Sequence, residues 1–384
     1  MRLRNAVCLF SIFGGALSAA TLPKFREQTI ATDLKGGYQV IAADVNGDGK
    51  PDLIALGSNM PELVWYENPG WKRHVIADGR SRMINVAVCE AGKGTIQMVL
   101  AEGFSSEAKN SPGIVSVLKP KGDPREPWSV TEIDRLPTSH RFRVADIDGS
   151  GKKVVVNAPL TAAGAGGPDY RGRTPLVYYR HGEWKRILIG DQNEGVMHGI
   201  YVTDWDGDGR DEILTASFVG IHVYDLGAGG KWTRTELTKG DPAPWPKSGA
   251  SDVAVGHLAG RRFLCSIEPW HGNQVVVYRQ EGGAWRRQVL DASFVEGHTI
   301  QAVDLYGDGR DAILAGDRGK GGEAVYIYTA EDQAGTKWVR HPLDVGGVAA
   351  ASCAVVDLNG DGRPDIACIG SSTANLKIYE NLGR

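Results

Sequence analysis

Three histidines stand at the same place in three copies of one repeat. Counting back six residues from the aspartate that opens each Gly/Asp-rich turn gives His140 before Asp146, His198 before Asp204 and His298 before Asp304. The same count gives Tyr38 before Asp44 and Ala351 before Asp357, and aligning His257 with that aspartate brings Ser251 to the position. Neutral imidazole takes up protons near physiological pH and is a good ligand for zinc. One histidine at a strand start is more often a structural hydrogen bonder. Three at a single repeat position point to acid–base chemistry or to a transition-metal site. His74, His181, His257 and His341 fall in turns and outer segments and are expected to be structural.

The turns carry a second chemistry. Asp44, Asn46, Asp48 and Asp52 place oxygen ligands at positions one, three, five and nine of a glycine-rich loop. Asp204, Asp206, Asp208 and Glu212 repeat the pattern, as do Asp357, Asn359, Asp361 and Asp365. Calcium takes six to eight hard oxygens in such flexible loops. The plainer reading is an Asx turn without an ion, but three complete sets favour structural calcium. The copies at Asp146 and Asp304 are degraded.

Variable loops add further candidates. Asn157 and Tyr170 belong to a long loop, NAPLTAAGAGGPDYRGRT, and Glu268, Trp270 and His271 to EPWHGN. Asp317 and Arg318 open GDRGKGGE. Tyr170 and Trp270 offer faces for stacking on a sugar ring, Tyr38, Asn157, Glu268 and Asp317 offer polar contacts to its hydroxyls, and His271 and Arg318 join the three histidines as catalytic candidates. Arg141, Arg171, Arg173 and Arg318 supply cations for a carboxylate. GxSxG, HExxH and phosphate-loop signatures do not occur, which argues against a serine hydrolase or nucleotide enzyme.

The elements that must position these residues are short strands. Each unit of about fifty residues reads as an alternating run (HGIYVTD, 198–204), the turn, an apolar run (EILTAS, 212–217), a loop, a third run usually ending in Tyr, and a Trp-led amphipathic segment. The Trp-led segment begins at Trp71, Trp128, Trp184, Trp232, Trp285 and Trp338, yet none follows the last unit. A matching piece, FREQTIATD, begins at Phe25. Seven four-stranded units, with one outer strand borrowed from the far end, predict an all-β seven-bladed propeller closed by an N-terminal strand. The propeller spans 21–384 as one domain.

Residues 1–20 read as a secretory signal, with Arg2 and Arg4, an apolar run from Ala6 to Leu17, and Ser18-Ala19-Ala20 before the cut. Its removal loses two arginines and no acids, moving the charge from −3 to −5. A mildly acidic, exported chain gives no reason to expect nucleic acid or membrane insertion. Of the four remaining cysteines, Cys353 and Cys368 flank a turn and face each other across a hairpin as a possible disulfide, although free buried thiols are the favoured reading.

DVNGDGKPDLI, DWDGDGRDEIL and DLNGDGRPDIA resemble the FG-GAP/VCBS repeats of secreted and integrin-type propellers. SHRFRVADIDGSGKKVVVNAPL (139–160) and MHGIYVTDWDGDGRDEILTASFVGIHVYDL (197–226) resemble the propeller of the aldos-2-ulose dehydratases, without the cupin domains that follow it there. That resemblance implies a secreted carbohydrate-active carbon–oxygen lyase acting on a keto-sugar or related saccharide. His198 or His140 would be the base, and His298 and His271 the ligand or acid, with zinc as a possible axial ion. The alternatives are a non-catalytic, calcium-stiffened carbohydrate-binding or adhesion module, and a propeller-type polysaccharide lyase or glycoside hydrolase.

Overall fold

A computed structural model describes residues 22–90 and 96–384. The expected signal segment lies outside the described residues. Seven antiparallel sheets of four strands each make the ring. Blades one to seven open with inner strands Gly37–Ala43, Asn85–Glu90, Ser139–Ala145, Met197–Thr203, Asp252–Leu258, Gly297–Val303 and Ala350–Val356. In blade seven the outer strand is Phe25–Ala31, paired antiparallel to Leu376–Asn381, so the ring closes by the N-terminal strand as expected. Two ion pairs, Arg26 with Glu380 and Lys377 with Glu27, reinforce that seam.

Burial follows strand position. Five of the seven second strands, Glu212–Ser217 and Ala312–Asp317 among them, are buried throughout, because neighbouring blades cover both faces. That is why these runs are apolar without alternation. The outer strand Lys231–Thr238 alternates exposed and half-buried residues, since one face meets solvent. Each fully buried leucine or isoleucine in the inner layers contributes about 1.5–3 kcal/mol.

Tyrosines explain why the third run usually ends in Tyr. Tyr179 donates to Asp134 at 2.7 Å, Tyr328 to Asp291 at 2.8 Å and Tyr379 to Asp344 at 2.6 Å. Each acid ends the outer strand of the preceding blade, so the hydroxyl ties two blades together.

Cys353 and Cys368 are registered partners and form a disulfide. This corrects the expectation of four thiols. The two residues sit directly opposite each other on adjacent strands, with Cα atoms 4.1 Å apart. Cys89 and Cys265 are free and buried.

Candidate functional site

The shared repeat position is a β-bulge. In blades three, four and six, His140, His198 and His298 are the extra residues where the register to the second strand shifts. Tyr38 in blade one and Ala351 in blade seven occupy the same bulge. A bulged residue leaves the ladder and its side chain is re-aimed, here toward the axis. The five bulged blades are those whose turns keep the opening aspartate. Blades two and five pair without a shift at their start and have lost that turn.

The side chains meet. Ring centroids lie 4.8 Å apart for His140 and His198, 5.0 Å for His198 and His298, 5.1 Å for His298 and Tyr38, and 6.0 Å for Tyr38 and His140. The result is a closed ring of four around the axis. His271, from the blade-five loop, sits against His198 at 4.9 Å and His298 at 5.2 Å. It holds φ at +49°, a left-handed conformation that a non-glycine residue keeps only when its surroundings enforce it.

Hydrogen bonds orient three of the imidazoles alike. His198 Nδ1 lies 3.2 Å from the carbonyl of Ser251, and His298 Nδ1 lies 2.6 Å from the carbonyl of Ala351. Each carbonyl belongs to the next blade. His271 Nδ1 lies 3.3 Å from Glu296 Oε1. With Nδ1–H donated to these acceptors, each Nε2 keeps a lone pair free to accept. His198 Nε2 and His271 Nε2 are 3.2 Å apart, and His298 Nε2 is buried with no partner. One ligand atom from each of the three lies within 4.8 Å of the others. Gly199 makes this packing feasible: a Cβ there would sit 2.7 Å from Asp252 Cα and 2.9 Å from the Ser251 carbonyl that anchors His198.

Burial, followed by the charges of Arg141 and Arg318, holds His140 and His298 well below the usual histidine range. Burial and Arg141 do the same for His198, and burial and Arg318 for His271. All are neutral at pH 7, as a metal ligand or a base must be. The Tyr38 hydroxyl contacts His140 Nε2 at 2.7 Å. Arg318 pairs with Glu296 at 2.6 Å and reaches His271 Nε2 at 3.4 Å. Beneath the ring runs an axial channel of about 570 Å³, lined by the inner strands.

Tyr170 and Trp270 pack edge to face at 5.3 Å beside His271, forming an aromatic wall on the loop face. The remaining sugar contacts expected from sequence point elsewhere. Glu268 is fully buried and bonds Tyr278 and Arg287 within its own blade. Asp317 accepts the backbone N–H groups of Val295, Glu296 and Gly319, so it shapes a loop. Asn157 is enclosed between Ser139 and Tyr179. Arg171 stacks on Trp245, and Arg173 pairs with Asp191. Glu296 was not foreseen: a lone loop glutamate carries no sequence signal until its neighbour across space is known. The structural histidines have partners away from the ring: His74 with Glu67, His181 with Gln97, His257 with Asp311 and His341 with Thr329.

At the other face, Asp204, Asp206 and Asp208 bring three exposed carboxylates within 4.8 Å of one another. The position-nine acids point inward: Asp52, Glu212 and Asp365 accept the N–H of Val45, Trp205 and Leu358.

Residues 112–281 match the family model of the aldos-2-ulose dehydratase β-propeller domain, 304–368 an FG-GAP-like repeat and 36–60 an FG-GAP repeat. The chain is a seven-bladed propeller that matches FG-GAP repeats in part and is similar to the propeller of aldos-2-ulose dehydratase. Aldos-2-ulose dehydratase of Phanerodontia chrysosporium is 26% identical over 298 residues, covering 68% of this chain but 32% of that enzyme. The chain therefore matches about a third of its relative's length. Among solved structures, BBS1N in complex with ARL6DN superposes with a TM-score of 0.58 at 14% identity, covering 94% of this chain and 98% of that one. A putative 6-phosphogluconolactonase from Bacteroides fragilis NCTC 9343 gives 0.54 at 14% identity, covering 91% and 92%. At that identity both speak to the fold alone.

Proposed function

We propose that this protein is a carbohydrate-active carbon–oxygen lyase of the dehydratase type, with its site at the histidine ring and a zinc-like ion held by His198, His271 and His298. One observation carries the reading: three neutral imidazoles, each anchored through Nδ1 to a carbonyl or carboxylate, converge through Nε2. That outer-shell pattern is how proteins orient metal-binding histidines. Such an ion, when bound, polarises a substrate carbonyl and acidifies the neighbouring C–H. His140 stands outside the ligand set, and with Tyr38 it forms the pair that accepts the C–H proton and returns one to the leaving oxygen. Arg318 offsets the negative charge that develops on the enolate. The sugar enters from the loop face along Tyr170 and Trp270, past His271, whose side chain is 26% exposed.

A second reading has support from burial: His140, His198 and His298 are each 1% exposed, which also suits a rigid, non-catalytic sugar-binding module. Elemental analysis and turnover separate the two. Purified protein is assayed for bound zinc and for conversion of aldosuloses and acidic oligosaccharides, followed by the absorbance of the unsaturated product. Metal binding lost in His271→Ala and His298→Ala, with turnover lost in His140→Ala, is the expected result. Sugar binding without product from any of these substrates removes the lyase.

The reading includes calcium in the Asp44, Asp204 and Asp357 turns; in the second of them three exposed carboxylates lie within 4.8 Å of one another, which suits a hard cation. It also places the protein outside the cytosol, secreted or periplasmic, which the Cys353–Cys368 disulfide supports.

A further inference from the structure

The site holds more positive charge than its neighbours balance. Arg141 is 7% exposed, and among the described residues its guanidinium has no carboxylate at ion-pair distance. Its contacts are the His198 Nε2 lone pair at 3.4 Å and the face of Tyr38 at 5.3 Å. Arg143, one turn of the pleat away, donates to the carbonyl of Phe142 and likewise lacks an ion pair. Asp252 is the acid that shares the channel wall with both. Arg318 is matched by Glu296. Two arginines thus share one acid on the channel wall, and neither lies at ion-pair distance from it. An uncompensated buried cation is destabilising unless something answers it.

We infer that Arg141 is the carboxylate-binding residue of this site, and that the substrate is an anionic sugar whose carboxylate adjoins the carbon that loses its proton. The binding claim stands on the charge and burial alone; the chemistry rests on the lyase reading above. In that reaction the α C–H bond breaks, its electron pair forms the C=C bond, and the β C–O bond breaks. The oxygen departs as water or an alcohol with a proton from the Tyr38–His140 pair. No oxidant or reductant enters. The enolate of a carboxylate carries two negative charges, and a planar, permanently charged guanidinium matches that geometry.

The test compares two probes of one shape, glucuronate and glucuronamide, by titration calorimetry on the full chain as purified. A charge-assisted contact predicts that glucuronate binds about ten- to a hundredfold more tightly. Arg141→Met, which keeps the stem and loses the charge, should abolish the preference. Arg141→Lys, which keeps the charge and loses the fork, should restore part of it, and serves if the methionine variant does not fold. Equal binding of the two probes overturns the inference, as does a preference that survives in Arg141→Met. Turnover of neutral aldosuloses with no carboxylate preference leaves the lyase and removes the anion site. Carboxylate preference without turnover of any uronic-acid oligosaccharide does the reverse.

Discussion

The seam of the ring is where Asp344→Ala should tell most. Asp344 ends the outer strand of blade six and its side chain is 3% exposed. It accepts from Lys377 Nζ at 2.7 Å, the Tyr379 hydroxyl at 2.6 Å and the Gly347 N–H at 2.7 Å. Burial pushes its carboxyl up, but the bonds from Lys377 and Tyr379 outweigh that and hold it below the usual range. Removing the carboxylate leaves Lys377, 10% exposed, with Glu27 as its remaining partner. Breaking a buried pair on one side costs about 3–5 kcal/mol, and the surviving Glu27 contact places this case near 3. A chain of this length unfolds with an entropy of about 0.8 kcal/mol/K, so Tm should fall by about 4 °C. Scanning calorimetry measures it. Tyr379→Phe, which removes one neutral donor, should cost about 1–2 °C. The double variant Asp344→Ala/Lys377→Met should recover most of the loss, because no buried charge is left unpaired and Glu27, half exposed, is solvated. If Asp344→Ala melts within 1 °C of wild type, or the added methionine worsens it, the buried pair does not hold the seam as argued.

Deleting residues 21–34 removes the closing strand, exposes the edge of Leu376–Asn381 and should give aggregation or a far lower Tm; a monomer that melts unchanged rules out closure by this segment. Chelation should lower Tm and added calcium restore it, with Asp206→Ala lowering the calcium stoichiometry by one; calorimetry showing no uptake removes the calcium reading. His222 is 2% exposed, and burial, with Arg234 adding, pushes it down to about 4. Its folded value is depressed, so its contribution is complete above about pH 6.5 and falls as pH drops toward 4, by about 1.4 kcal/mol per pH unit. His222→Phe should flatten the acid limb of stability against pH by one proton, and an unchanged slope contradicts it.

The architecture was legible because a propeller repeats its physics. Solid apolar second strands, amphipathic outer strands and a missing last copy answered by Phe25 all follow from each blade having neighbours on two sides. The histidine offset was legible for the same reason: equal positions in equivalent blades arrive at equal heights. Single residues in unequal loops were harder. Glu268 and Asp317 looked like hydroxyl binders as charged residues of the variable loops, but each satisfies donors of its own surroundings: Tyr278 and Arg287 for one, backbone N–H groups for the other. Glu296 shows the converse. Its role depends on a residue 25 positions away, His271, and no local pattern reports such a distance. The disulfide turned on strand register, which places Cys353 and Cys368 opposite each other.

His198 is held by Ser251 and His298 by Ala351, so these two imidazoles of the ring take their aim from the blade after their own. No blade, and no consecutive pair, owns the site. A fragment that ends after blade four or after blade six keeps His198 or His298 but loses the carbonyl that aims it. Loosening any seam would therefore degrade the centre before it degrades the blades, and loss of ligand binding should precede loss of β-structure on heating.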